Sequence, residues 1–117
     1  MSQTGAKTER IRKIALALPE THEEVTWGED LNFRVGKKIF CFPGDEAMTI
    51  KADPDERESL LADDRFTVAP YVGRFGWVRM DVTGKVDWSE VAELITTSYC
   101  LIAPKKLAKQ VLAERQA

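Results

Sequence analysis

The stretch LNFRVGKKIFCFPGDEAMTIKA, residues 31–52, constrains the fold more than any other part of the chain. It holds three short runs with strand character, LNFRV, KIFCF and AMTIKA, separated only by Gly36-Lys37 and by Pro43-Gly44-Asp45-Glu46. A two-residue connection containing glycine is a hairpin turn, and Gly36 is the residue there that can take a positive φ. Parallel strands need a crossover of about a dozen residues or more, so these three runs can pair only antiparallel. Two further runs, FTVAP and GWVRMDV, extend the count to about five strands.

Helices fill the remainder. Ile11, Ile14, Ala15 and Leu18 follow helical spacing, and Pro19 stops that segment. An acidic loop holding His22 follows it. Asp53-Pro54 starts a short helix that turns Leu60 and Leu61 inward. Asp87 with Glu90 forms a capping-box-like start for the longest helix, striped by Val91, Ile95 and Ile102, and Pro104 opens a last basic helix with Leu107, Val111 and Leu112. The expected architecture is α+β: a two-layer sandwich in which helices pack on one face of an antiparallel sheet of about five strands. With 117 residues, 44% of them hydrophobic, the material suits one domain over 1–117.

Alternation then sorts the strands into two faces. Leu31, Phe33, Val35, Met48, Ile50, Val78, Met80 and Val82 belong under the helices. Asn32, Arg34, Thr49, Lys51, Trp77, Arg79 and Asp81 belong on the other face, toward water. A tryptophan in the middle of that second set is the feature that demands a reason.

Catalysis finds little support. The single histidine, His22, lies among glutamates as a solvated residue, and no HxH, HExxH or Cys/His cluster offers a metal site, so no cofactor is expected. Cys41 and Cys100 lie far apart in apolar stretches and read as buried thiols of a reducing compartment. Asp63-Asp64 and Glu23-Glu24 read as solvated pairs, and the glycines of VGKK and GRFG do not lead from a strand into a helix as a phosphate loop does. Ser98-Tyr99 lacks a base at a workable spacing, so Tyr99 is expected to pack its ring in a helix while its hydroxyl finds a polar partner. The first ten residues lack an apolar signal core and no apolar run is long enough to span a bilayer, so the chain reads as cytoplasmic, with no membrane partner.

The phrases LNFRVGKKIFCF following TWG, MTIKADPDERESLL, YVGRFGWVRMDV and ELITTSYCLIAPKKL together resemble the MmcQ/YjbR family of small bacterial proteins, from about residue 8 to residue 110. The resemblance implies a fold like that of secretion chaperones and a DNA-binding role through a double wing of hairpins. Local charge is compatible with such wings: the net charge is only -2, but it is blocked, with +3 over residues 31–43 and -6 over 44–64. On this reading Arg34, Lys37, Lys38, Lys51, Arg74 and Arg79 neutralise phosphates and Trp77 stacks on a base. An exposed Trp-Tyr-Arg face equally suits a protein partner or self-association. A small-ligand site near Trp27, His22 and Tyr71 is a third reading.

Overall fold

The computed structural model describes residues 5–26, 30–70 and 75–116. The elements run α1 (Ala6–Leu16), β1 (Thr21–Thr26), β2 (Asp30–Val35), β3 (Lys38–Phe42), β4 (Ala47–Lys51), α2 (Arg57–Leu61), β5 (Phe66–Val68), β6 (Trp77–Asp81), α3 (Trp88–Ile102) and α4 (Lys105–Gln116). The six strands form one sheet in the order β1-β2-β3-β4-β6-β5, and every neighbouring pair is antiparallel. The α+β sandwich expected from the short connections is therefore present, with six strands in place of about five.

The additional strand is β1, where an acidic loop was expected. THEEVT shows no apolar alternation because β1 is an edge strand, and edges carry charge to discourage further pairing. It nevertheless pairs with β2 along its whole length, from Thr21 opposite Val35 to Thr26 opposite Asp30. Arg12 of α1 reaches down to the carboxylate of Glu23, with Nε and Nη2 each 2.9 Å from an oxygen.

The core forms where the helices meet one face of the sheet. Ile11 and Ala15 from α1 and Val91, Ile95 and Tyr99 from α3 pack with Phe33, Cys41, Met48, Ile50, Val78, Met80 and Val82, all fully or almost fully buried. Ile14, Leu18, Leu60, Leu61 and Ile102 pack partly buried around this cluster, as their spacing anticipates. Of the α4 set, Val111 is buried and Leu107 half-buried, but Leu112 is 43% exposed. A side chain one position beyond Val111 is rotated by about 100° around a 3.6-residue helix, off the stripe that faces the core.

Helix starts differ in detail from the sequence expectation. The Asp87 carboxylate accepts from the backbone N–H groups of Ser89 and Glu90, but the Glu90 side chain turns to Arg65 instead of closing the box. Asp53 caps a turn, accepting from the Asp55 N–H, and regular helix begins only at Arg57. The α1 terminus is capped from a distance: Asp45, in the β3–β4 turn, accepts from the N–H groups of Gly5 and Thr8 at 2.9 and 3.1 Å. Gly36 takes the expected positive φ, at 62°.

Arg65 clamps Asp63 at 2.8 Å and Glu90 at 2.7 Å, tying the segment before β5 to α3. Hydrogen bonds from the Arg65 guanidinium, then from its backbone N–H, hold the Asp63 carboxyl at about 2, below the usual carboxylate range. Because the folded value lies below the unfolded one, about 3.9, this contribution to stability is present above pH ~4 and is lost as the pH falls through about 2. Asp63→Asn should therefore lower the urea midpoint at neutral pH and flatten its decline between those limits. A decline as steep in the variant as in the wild type would assign the acid sensitivity elsewhere.

Candidate functional site

The strand register carries the alternation of each strand across the whole sheet. On the face away from the helices, Phe42, Thr49, Arg79 and Thr67 form one row across β3, β4, β6 and β5. Lys51 stands opposite Trp77 in the adjoining row, and Ala47 opposite Asp81 on the other side. Trp77 is half-buried, packed edge-on against Phe42 with ring centroids 6.0 Å apart and planes inclined at 62°. An edge-on pair of this kind is worth about 0.5–1.5 kcal/mol beyond its buried area. Phe42 also lines an open depression of about 910 Å³ with Ala47, Thr49, Ala69 and Pro70, whose charged lining residues are Arg79, Asp30, Asp45 and Glu46.

Phe42 had no role in the sequence reading. After Lys38, KIFCF is apolar throughout, so its phase is not legible from alternation. The structure sets that phase with a register shift: Phe33 pairs with Cys41 but Arg34 pairs with Ile39, leaving Phe40 as an extra residue. That bulge lets Phe40 and Cys41 both be buried and sends Phe42 to the open face.

Electrostatics divides the predicted cations. Arg34 lies on the open face, but its Nε donates to Asn32 Oδ1 at 2.9 Å and sits 3.7 Å from Glu24 Oε2, while Nη1 donates to the Lys37 carbonyl. Asn32 Nδ2 in turn donates to Thr26 Oγ1 and to the Asp30 carbonyl. This network buries Asn32 completely, a correction to its expected exposure: its register is that of the open face, but β1 and the Arg34 side chain cover it. His22, 45% exposed on β1, shares Glu24 Oε2 at 2.7 Å. The hydrogen bond from His22, and then the charge of Arg34, hold the Glu24 carboxyl below its ordinary range. Asp81 is likewise held low, chiefly by the Thr83 hydroxyl and N–H, with Lys7 and Arg79 adding.

Lys37 and Lys38 leave this face altogether. Lys38 pairs with Val35, a core-facing residue, and both lysines line a second depression, about 710 Å³, between the hairpin and the α3–α4 junction. There they meet Lys105 of α4, which the sequence reading did not assign although the basic tail was visible. Arg34, Lys51, Trp77 and Arg79 thus share one face and Lys37 and Lys38 another, while Arg74, Trp27 and Tyr71 lie outside the described residues. Among the described residues no three His, Cys, Asp or Glu side chains gather as metal ligands, and no helix is long and apolar enough to cross a membrane. Cys41 is buried and Cys100 half-buried, both as free thiols, with burial pushing both thiols up.

No curated protein matches the chain. Its fold is similar to that in the crystal structure of Deinococcus radiodurans protein DR2400, a DUF419 domain, with a TM-score of 0.67 and 21% identity over 78% of this chain and 74% of that one. The YjbR family model matches residues 16–101, a span from the end of α1 through nearly all of α3 that includes every strand. The sequence resemblance, the six-stranded sandwich and this match agree, and the chain belongs to the YjbR family.

Proposed function

We propose that this protein is a non-catalytic binding module that docks a protein partner on its open sheet face, with Trp77 and Phe42 as the anchor. The observation that carries the reading is this aromatic pair, half-buried on a face that no helix of the described residues covers, beside a depression lined by Phe42, Ala47, Ala69 and Pro70 with Arg79 and three carboxylates at its edge. Interface hot spots are enriched in tryptophan and arginine set in partly desolvated surroundings, and this composition matches. The occupant that fits is an extended segment presenting an apolar side chain to Phe42 within a rim of mixed charge, Arg79 with Asp30, Asp45 and Glu46.

The DNA-binding reading draws on the same cations but needs them to act together. Arg34 is engaged by Glu24 and Asn32, Asp81 stands one residue pair away from Arg79, and the hairpin lysines face a different side. A phosphate-binding surface would have to work against these carboxylates, in a chain of net charge -2.

Two titrations separate the readings. Peptides recovered from a displayed random library on the wild-type chain should include a class that binds Trp77→Ala about 30-fold or more weaker, the loss of a hot-spot anchor worth roughly 2 kcal/mol. That class should change little in affinity between low and high salt. A duplex or single-stranded oligonucleotide that binds instead, weakening steeply with salt and losing affinity in Trp77→Ala, would favour nucleic acid on this face.

A further inference from the structure

The depression beside the β2–β3 hairpin differs in character from the open face. Its floor is apolar, built from Val35 at the end of β2, Ile102 and Ala103 at the end of α3, and Leu107 of α4. Lysines stand on both sides of that floor: Lys37 and Lys38 on the hairpin, Lys105 on α4, all exposed. Among the described residues Glu20 is the one acidic residue of the lining. Leu101, at the same site, is left 39% exposed.

Helix stability does not account for the lysines of α4. Lys105 and Lys106 occupy its first turn, where the helix dipole disfavours cations, and no acidic residue stands in that turn to offset them. The hairpin lysines are not consumed by ion pairs either: among the described residues neither ammonium lies within 4.0 Å of a carboxylate.

From this arrangement we infer that the groove is a second docking site, which takes an acidic amphipathic segment of a partner protein. An aliphatic or aromatic side chain fills the apolar floor, and Asp or Glu residues on either side of it meet the lysines of the two walls. Charge complementarity selects the occupant. Nucleic acid would match the lysines but would leave the apolar floor unused, because duplex phosphates offer it nothing to bury. The inference is independent of the open-face reading, since it uses none of Phe42, Trp77 or Arg79.

The test uses the full chain and a displayed random peptide library. Recovered peptides should include a class with Asp or Glu flanking an apolar residue. Its affinity should fall at least tenfold in Lys37→Glu/Lys38→Glu and in Lys105→Glu, and change less than twofold in Trp77→Ala. All three lysines are exposed, so the thermal melts of these variants should overlay the wild type. Replacing the acidic residues of such a peptide with lysine should restore binding to the triple variant Lys37→Glu/Lys38→Glu/Lys105→Glu, which a merely unfolded hairpin would not allow. Recovery of no acidic class, or equal binding of it to wild type and the charge-reversed variants, overturns the inference. So does displacement of the peptides by a duplex oligonucleotide whose own binding is lost in the same variants, which would assign the groove to nucleic acid. Loss of peptide binding in Trp77→Ala alone would leave the open-face reading standing and remove this one.

Discussion

Met80→Asp is expected to leave the chain unfolded at room temperature, whereas Arg79→Asp, one residue earlier on the same strand, should melt within a few degrees of the wild type. Met80 is 1% exposed, on β6 between Met48 of β4 and Phe66 of β5, and packs within the apolar core cluster. An ionised carboxylate there would be buried without a partner, at an effective penalty of several kcal/mol. A domain of this size is stable by only about 5–15 kcal/mol, and the lost packing of the methionine adds to the cost. Arg79 faces water on the opposite side of the strand, and its side chain is exposed. Far-UV circular dichroism with a thermal melt decides the matter. A folded Met80→Asp with wild-type stability would mean that the two faces of the sheet have been assigned the wrong way round.

Tyr99→Ala should cost about 3–5 kcal/mol, the range for truncating a fully buried aromatic residue. Tyr99 is among the largest side chains with no exposure, and its ring meets Phe40 edge-on with centroids 5.4 Å apart. Its hydroxyl donates to the Pro19 carbonyl at 2.8 Å, joining α3 to the chain just after α1. Tyr99→Phe removes only that bond and should cost about 1 kcal/mol. The neighbouring Ser98 serves the same end: its hydroxyl accepts from the Lys51 N–H and donates to the Phe40 carbonyl, satisfying backbone groups of β3 and β4 near the bulge. Urea midpoints of the two Tyr99 variants separate ring packing from the hydroxyl. Equal losses in both would place the energy in the hydrogen bond and contradict the packing argument.

The sequence was most informative where one physical constraint acted alone. Short connections fixed the antiparallel pairing of β2, β3 and β4, and alternation along β6 separated Val78 and Met80 from Trp77 and Arg79 without ambiguity. Tyr99 could be read as a packed ring with a bonded hydroxyl because no base accompanied it. It was least informative where two constraints competed. In β1 the demands of a sheet edge replaced apolar alternation with charge, so a strand read as a loop. In β3 the bulge broke the period-2 pattern, so Phe42 went unassigned. The cations failed to converge for a related reason. Charge along a chain shows that Arg34, Lys37 and Lys38 are close in sequence. It does not show that Arg34 is engaged by Glu24 while a two-residue turn carries the lysines toward α4.

The most direct test of the central claim is a residue-resolved map of binding, read from backbone amide shifts in a two-dimensional NMR spectrum. The isotope-labelled chain would be titrated with a library-selected peptide of the class sensitive to Trp77→Ala, and separately with a duplex oligonucleotide at low salt. The expected result is that the peptide shifts the amides of Phe42, Thr49, Thr67, Trp77 and Arg79, which span four adjacent strands on one face, and that these shifts persist at high salt. Shifts produced only by the oligonucleotide, centred on Arg34, Lys37, Lys38 and Arg79 and abolished by added salt, would contradict the claim and return the protein to the nucleic-acid reading.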